Sequence, residues 1–114
     1  MSTPTNLIPT DELAMLHENI CQTLADPKRI QILYALATTP LHVTALTALL
    51  ETPQPTVSRH LALLRQRGLV RAERDGTNVI YSLAVPEMVT IIDSMRGILR
   101  RMMSERMDSL GTLE

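Results

Sequence analysis

The sequence has almost no aromatic residues: tryptophan and phenylalanine are absent, and the aromatic side chains are Tyr34 and Tyr81. Proteins that bind single-stranded nucleic acid stack bases on exposed rings, so this composition disfavours that class of binding. Cysteine is nearly absent too. The single residue, Cys21, excludes a disulfide within one chain and is typical of a protein from a reducing cytoplasm.

Long apolar runs are also missing. No stretch approaches the ~20 apolar residues that a membrane-spanning helix requires. The N-terminal sequence MSTPTNLIPTDEL lacks the basic segment and the apolar segment of a secretion signal. We therefore expect a cytoplasmic protein with no membrane partner, and 114 residues are enough for one compact domain.

Charge is distributed unevenly along a chain whose net charge is only −1. Residues 55–81 contain five arginines and two acids, whereas the remainder contains six bases and ten acids. This basic third favours a polyanionic partner that docks on one face, although an ordinary solvated surface gives the same excess.

Apolar residues recur at helical spacing in three segments that precede the basic region. Thr10 is expected to cap the first helix, and the apolar stripe of that helix is Leu13, Leu16, Ile20 and Leu24. The second follows Asp26 as cap and Pro27 as first residue, and its expected buried side is Ile30, Leu33, Tyr34 and Ala37. The third occupies residues 41–50, with core candidates Val43, Leu46, Leu49 and Leu50.

A fourth helix is predicted in TVSRHLALLRQR (56–67), directly after the break ETPQP. Val57, Leu61 and Leu64 form its buried stripe, and the polar and basic residues near its start stay on the open side. Gly68 is expected to end this helix, because glycine accepts the left-handed conformation that follows a last helical turn.

Two β-favouring runs, LVRAER and TNVIYSL, flank Asp75 and Gly76. An Asp-Gly pair in this position predicts a β-hairpin with these two residues in the turn. Pro86 opens a last helix of about twenty residues with one broad apolar face. That face comprises Met88, Ile91, Ile92, Met95, Ile98, Leu99, Met102 and Met103.

The order of these elements is typical of a winged helix-turn-helix, in which a helix enters the major groove and a hairpin wing lies on the adjoining backbone. Serine, threonine, glutamine and arginine, which hydrogen-bond base edges and phosphates, crowd the first turns of the fourth helix. The fold class predicted is mainly α with a small β-hairpin wing.

Three motifs resemble the ArsR/SmtB family of winged-helix transcriptional repressors: LADPKRIQIL (24–33), PQPTVSRHLALLRQRGLV (53–70) and RDGTNVIYSL (74–83). The resemblance covers residues 20–100. It implies a cytoplasmic homodimer that binds a palindromic operator in double-stranded DNA, as a repressor, until an effector releases it. It also implies dimerisation through the first and last helices, and the apolar stripes at 13–24 and 88–103 agree, because they exceed the needs of one small domain.

The domain organisation that follows is a flexible arm at 1–9, a single winged helix-turn-helix domain at 10–110 and a tail at 111–114. Within the domain, the segments are the dimerisation helices (10–25 and 86–110), the helix-turn-helix (44–67) and the wing (69–83).

The resemblance also implies DNA-binding residues by position. In the recognition helix, base-edge contacts are expected from Gln54, Ser58 and Arg59, and backbone or mixed contacts from Thr56 and His60. The positions that match the wing are Arg71, Arg74, Thr77 and Asn78; Arg74 and Asn78 flank its tip and are expected to meet phosphate or the minor groove.

Other basic residues have two interpretations each. Lys28 and Arg29, beside a helix N-terminus, either hold phosphate or belong to a solvated surface, and Arg65 and Arg67 are expected at the surface or in intramolecular pairs. The chain departs from the family pattern at Pro53, which removes a capping hydroxyl, and at Glu51, which stands where the turn often has glycine.

No effector site of the familiar kinds is present: cysteines are missing near His42, and histidine is missing from residues 85–101. His17 and Cys21 share a helix face and could bind a metal or sense oxidants, but an inert buried cysteine is the favoured interpretation. Methionines of the last helix serve packing or an apolar ligand pocket rather than copper. We predict no metal site, no cofactor and no enzymatic activity; the effector is unknown. The alternative function is a winged-helix protein–protein interaction module without operator binding.

Overall fold

The computed structural model describes residues 6–112, so residues 1–5 of the predicted arm and 113–114 of the predicted tail lie outside the described residues. The chain divides into two compact units, Met1–Ala84 and Val85–Glu114, and each is described by itself. Among the described residues, no helix is both long enough and apolar enough to cross a membrane.

The first unit contains four α-helices and a three-stranded antiparallel sheet, and the second contains one long helix. In chain order the elements are α1 (Thr10–Leu16), a π-helical turn (His17–Cys21), a 3-10 turn (Thr23–Ala25), α2 (Pro27–Thr38), β1 (Leu41–His42), α3 (Val43–Leu50), α4 (Gln54–Gln66), β2 (Val70–Asp75), β3 (Asn78–Leu83) and α5 (Glu87–Thr112). The sheet order is β1-β3-β2. The predicted fold class, mainly α with a small β wing, is confirmed.

The first predicted helix is interrupted by the π-helical turn. The amide of Gln22 donates to the carbonyl of His17 at 2.9 Å, a bond that closes a wider turn than an α-helix allows. The wider turn changes the phase of the helix, so the predicted stripe is not continuous. Its first half is exposed, with Leu13 at 48% and Leu16 at 37%, whereas Ile20 and Leu24 are half-buried.

Helix α2 starts as predicted, with Asp26 as its cap and Pro27 at its first position. The amide of Lys28 donates to Oδ1 of Asp26 at 2.8 Å. This bond lowers the pKa of Asp26 below its ordinary 3.8; the nearby His60 and Arg29 lower it further, and desolvation opposes them.

The predicted buried side of α2 is confirmed at Leu33 and wrong at Ala37. Leu33 is buried, but Ile30 and Tyr34 are half-buried and Ala37 is exposed. The physical reason is that α2 contacts α3, α4 and β3 together, which centres the buried face elsewhere. The residues that the packing buries are Ile32, Leu33 and Leu36.

The third predicted helix begins two residues later than expected. Leu41 and His42 form the short strand β1, which pairs with Tyr81 and Ile80 of β3. This pairing covers an edge of the hairpin that would otherwise be unpaired. Leu46 is buried as predicted, but Leu49 is 63% exposed and the prediction that it belongs to the core is wrong.

Helix α4 begins two residues earlier than predicted, at Gln54 within the predicted break, and otherwise follows the prediction. Its stripe is fully buried, with Val57 at 1% exposure and Leu61 and Leu64 at 0%. Gly68 ends it with a φ of +81°, and the amide of Leu69 returns to the carbonyl of Leu64 at 2.9 Å. This is the hydrogen-bond pattern of a helix closed by a left-handed glycine.

The hairpin forms, but its turn lies one residue later than predicted. Asp75 pairs with Asn78, so the two loop residues are Gly76 and Thr77 rather than Asp75 and Gly76. Gly76 has a φ of +66°, and Thr77 is not among the described residues with positive φ. A positive φ at the first loop position alone corresponds to a type II′ turn, which matches the twist of the strands.

Helix α5 is buried only near its start, at Met88 and Ile92. The rest of its predicted apolar face is exposed: Ile91, Met95, Ile98, Leu99, Met102 and Met103. These side chains are candidates for contact with another molecule, because large exposed apolar patches are uncommon on proteins that act alone.

The turn between α3 and α4 contains a left-handed residue that is not glycine. Glu51 has φ 48° and ψ 47°, and the following Thr52 donates its amide to the carbonyl of Thr47 at 3.3 Å. The turn is therefore as tight as a glycine would make it, and the Cβ of Glu51 carries the conformational cost.

We expect Glu51→Gly to raise the free energy of unfolding by about 1 kcal/mol, because glycine has no Cβ to clash in the left-handed region. Urea denaturation measures the change. Glu51→Ala is the matched control: it removes the carboxylate but keeps the Cβ, so it should gain nothing. Equal effects of the two substitutions would contradict this account of the turn.

The lowered pKa of Asp26 predicts a pH dependence. The ionised carboxylate contributes stability above the ordinary pKa of 3.8, and the contribution is lost as pH falls through the lower folded-state pKa. Asp26→Asn keeps an oxygen for the Lys28 amide but has no charge. Urea denaturation from pH 7 to pH 2 should therefore show the parent more stable at neutral pH and the difference disappearing in acid. A difference that persists at pH 2 would contradict the charge effect.

Candidate nucleic-acid interface

One side of α4 is open to solvent and carries three of the five predicted recognition residues. Gln54, Ser58 and Arg59 are exposed, and so is Arg65 in the last turn of the helix. A rotation of about 100° per residue places Gln54, Ser58 and Arg65 in one row, and Arg59 about 100° around the helix from Ser58, away from the buried stripe. We call these four residues the open face of α4.

The other two predicted recognition residues lie on a different side of α4. Thr56 and His60 are half-buried. His60 is three residues after Val57 and four before Leu64, a spacing that places it beside the buried stripe. That spacing was the available signal in the sequence. The structure therefore does not bring the five residues onto one face.

The N-terminus of α4 has no negatively charged or capping side chain of its own. Its first turn contains no acid, and no side chain caps it. Pro53 instead supplies a backbone carbonyl, which accepts the amides of Thr56 and Val57 at 3.1 Å each. The positive end of the helix dipole is thus not neutralised by the chain itself, an arrangement that favours the approach of an anion.

All four predicted wing residues are exposed: Arg71, Arg74, Thr77 and Asn78. Successive residues of a strand point to opposite faces, so Arg71 and Arg74 lie on opposite faces of the hairpin. Cross-strand pairing agrees, since Arg71 is opposite Ser82 and Arg74 is opposite Val79. Thr77 lies in the two-residue loop at the tip, and Asn78 is the first residue of β3.

The charge excess of residues 55–81 comes from the helix rather than from the wing. Strand β2 contains two arginines and two acids, Glu73 and Asp75, so the wing is neutral. Helix α4 contains Arg59 and Arg65 and no acid, and Arg67 directly follows that helix. A polyanion would therefore be attracted mainly to the helix, with the wing arginines acting as individual contacts.

A cluster of charged groups joins the start of α2 to the inner side of α4. Oδ2 of Asp26 lies 3.9 Å from Nη1 of Arg29 and 3.9 Å from Nε2 of His60. Arg29 also donates through Nε to the carbonyl of Thr23 at 2.7 Å and through Nη2 to that of Gln22 at 3.0 Å. Sequence reasoning missed this cluster, because Asp26 and His60 are distant in the chain.

The remaining basic candidates are placed as follows. Arg29 is committed to the carbonyls of its own chain, which differs from both interpretations of its sequence, whereas Lys28 is exposed. Arg65 is at the surface and has no ion pair among the described residues. Arg67 is half-buried, and its Nε is enclosed without a hydrogen-bond partner within residues 6–112.

His17 and Cys21 both lie in the π-helical turn. Cys21 is exposed, so the interpretation that it is a buried apolar residue does not hold for the isolated chain. Nε2 of His17 lies 3.4 Å from Nε2 of Gln22. Within the described part of the chain, no three histidine, cysteine or acidic residues are grouped closely enough to hold a metal ion.

Comparison with known proteins gives a family. The model of "Bacterial regulatory protein, arsR family" matches residues 26–72, which run from the Asp26 cap through the helix-turn-helix into β2. The matched segment contains the open face of α4 and the charged cluster beside it.

Two relatives from Mycobacterium tuberculosis are similar in sequence. The HTH-type transcriptional regulator KmtR is 41% identical over 76 residues, which are 67% of this chain and 58% of KmtR. This chain thus spans less than two thirds of KmtR. The HTH-type transcriptional regulator Rv0081, itself uncharacterised, is 33% identical over 105 residues, 91% of this chain and 92% of Rv0081.

Solved structures agree with the sequence relatives. The crystal structure of Rv0081 superposes with a TM-score of 0.74 at 34% identity, covering 83% of this chain and 96% of that one. The solution structure of Mb0332 from Mycobacterium bovis, described as a homodimeric winged helix-turn-helix DNA-binding domain, gives a TM-score of 0.65 at 27% identity, covering 89% and 91%. The family and its named members are regulators of transcription rather than enzymes. The motif that holds α4, the wing beside it and these relatives together place the chain in the ArsR/SmtB family of DNA-binding transcriptional regulators.

Proposed function

We propose that this protein binds a palindromic operator in double-stranded DNA as a homodimer and represses transcription until an effector releases it. The observation that carries the proposal is the open face of α4: an acid-free helix side with Gln54, Ser58 and Arg59 exposed at its N-terminal end. Arginine, glutamine and serine are side chains that hydrogen-bond base edges in the major groove.

The proposed DNA contacts divide by chemistry. Base edges fall to the exposed residues Gln54, Ser58 and Arg59, and Thr56 is assigned to backbone or mixed contacts at the flank of the helix. The wing residues Arg71, Arg74, Thr77 and Asn78 are assigned to phosphate or the minor groove. His60 lies inward against Asp26 and is not among these proposed contacts.

The proposed dimer is supported by the distribution of exposed apolar side chains. Of fourteen large apolar residues that are exposed in the described part of the chain, thirteen lie either at positions 7–16 or in α5, the exception being Leu49. Patches of this kind mark protein–protein interfaces. A two-fold dimer would place two α4 helices in major grooves one turn apart, ~34 Å, and so read a palindrome.

Repression and release by an effector complete the proposal. A dimer seated over a promoter would block polymerase, and an effector would act by binding the DNA-free dimer more tightly than the DNA-bound one. Selection from random DNA, repeated with divalent metals, oxidants and apolar ligands, would identify both operator and effector. A reporter with the selected site across its promoter separates repression from activation.

The second candidate function is a protein–protein module that uses the winged helix without an operator. The lack of net charge on the wing favours it, because acids beside Arg71 and Arg74 weaken attraction to phosphate. The two functions give opposite results in the selection from random DNA: the module enriches no sequence.

We expect Arg59→Ala and Arg74→Ala to affect DNA binding differently. Arg59→Ala should reduce discrimination between operator and altered sites by about 1–3 kcal/mol, because it removes a base-edge contact. Arg74→Ala should weaken binding to all sequences and lower the slope of log affinity against log salt by about one, because it removes a phosphate contact. Fluorescence anisotropy across a salt series measures both.

Arg101→Ala is the matched control, since it removes an exposed arginine of α5 and should change neither quantity. Parent-like salt slopes and selectivity in both test variants would show that these residues do not contact DNA.

The dimer makes its own prediction. Leu99→Glu, in the exposed apolar face of α5, should convert the dimer to a monomer, because the carboxylate would have to be buried without a partner. Ser104→Glu adds the same charge on the opposite side of α5 and should leave the dimer intact. Sedimentation velocity distinguishes the species; a parent that is monomeric at micromolar concentration would refute the proposed dimer.

A further inference from the structure

We propose that His60 is a positioning residue and not a DNA contact: its imidazole and the Asp26 carboxylate form a tie that holds the recognition helix α4 against the start of α2. We call Asp26 and His60 the polar tie. The inference rests on the proposed function, since it concerns how α4 is held for operator binding.

The His60 side chain points away from the open face of α4. Ser58 and His60 are two residues apart, which separates them by about 200° around the helix. Ser58 is exposed on the open face, whereas the His60 side chain is 15% exposed. A DNA duplex that lies on the open face would therefore find His60 on the inner side.

On that inner side, His60 faces the carboxylate of Asp26. Its Nε2 lies 3.9 Å from Oδ2 of Asp26, within ion-pair distance although longer than a hydrogen bond. Asp26 is itself fixed, because its Oδ1 accepts the amide of Lys28 at 2.8 Å. One carboxylate thus caps α2 through one oxygen and faces α4 with the other.

Contacts with α2 restrain the side chain of Asp26. Arg29 faces the same Oδ2 at 3.9 Å, and Arg29 is held by the carbonyls of Thr23 and Gln22. The side chains of Arg29 and His60 are each 15% exposed and that of Asp26 is 35% exposed, so water screens the cluster in part. The polar tie therefore links α4 to a fixed point on α2.

If His60 contacted phosphate, Asp26→Asn would have the opposite effect on DNA affinity from the effect expected if His60 positions α4. An acid near DNA repels phosphate, so if His60 touched phosphate directly, Asp26→Asn would leave binding unchanged or tighten it. If the polar tie positions α4, the same substitution weakens binding even though it removes a negative charge. Asparagine retains the cap of α2, so the helix start is preserved.

The experiment compares His60→Gln, Asp26→Asn and the double variant by fluorescence anisotropy on the selected operator at pH 6, where an imidazole carries substantial charge. Each single variant should weaken binding about two- to fivefold, the range expected of a partly exposed charge pair. The double variant should be no weaker than the worse single variant, because both remove the same interaction. The salt slope should stay at the parent value.

Two controls make the same chemical changes elsewhere. His17→Gln alters an exposed histidine of the π-helical turn, and Asp11→Asn removes an exposed acid from the first turn of α1. Both lie in the predicted dimerisation segment 10–25, so sedimentation velocity first verifies that each control variant is still a dimer; neither should then weaken operator binding. Additive losses in the double variant, a reduced salt slope in His60→Gln, or tighter binding by Asp26→Asn would each overturn the positioning role.

A DNA-free measurement tests the polar tie directly. Carboxyl carbon NMR follows the titration of Asp26 between pH 2 and pH 6, a range in which an imidazole is largely protonated. The pKa of Asp26 should lie closer to its ordinary 3.8 in His60→Gln than in the parent, and His17→Gln should not change it. An unchanged Asp26 pKa in His60→Gln would overturn the tie.

The outcomes separate this inference from the function on which it rests. A parent that selects no DNA sequence refutes operator binding, and the positioning role with it. A parent that selects an operator, with an Asp26 pKa insensitive to His60, refutes the tie alone.

Discussion

Burial of the α4 stripe is the constraint on which the rest of the site depends. Val57, Leu61 and Leu64 are each at most 1% exposed, and helical geometry then leaves no freedom in where the other side chains of α4 lie. Ser58 and Arg59 must be outside and His60 must be beside the core. Packing thus decides which residues of α4 are exposed, and so which are available for the proposed DNA contacts, before any charge is considered.

Sequence periodicity predicted α4 and its end correctly, because the stripe is regular and Gly68 supplies the left-handed residue that closes a helix. It failed where the answer lies in distant parts of the chain. Nothing local in Leu41-His42 indicates a strand; that conformation follows from pairing with β3. Similarly, Ala37 is exposed because α3, α4 and β3 pack on a side of α2 that carries other residues.

The same distinction applies to the candidate site. Residue types and a resemblance indicated which stretch is proposed to face DNA, since the polar residues at the start of α4 can hydrogen-bond base edges. They did not separate His60 from its neighbours, because its partner Asp26 lies in another helix. The wing shows the limit of counting charges: residues 55–81 are basic as a group, yet β2 itself contains equal numbers of arginines and acids. The excess comes from Arg59 and Arg65 of α4 and from Arg67, which directly follows that helix.

Because Arg71 and Arg74 lie on opposite faces of the hairpin, they restrict how the wing would approach a DNA duplex. A ribbon with a cation on each face cannot use both by lying flat on one strand of the backbone. It can use both when it enters a groove edge-on, so that one guanidinium meets each wall. The type II′ loop, with Gly76 and Thr77 alone at the tip, keeps the leading edge narrow enough for that approach. A wing that contacts DNA in this way would lie edge-on between the two phosphate backbones that border the groove.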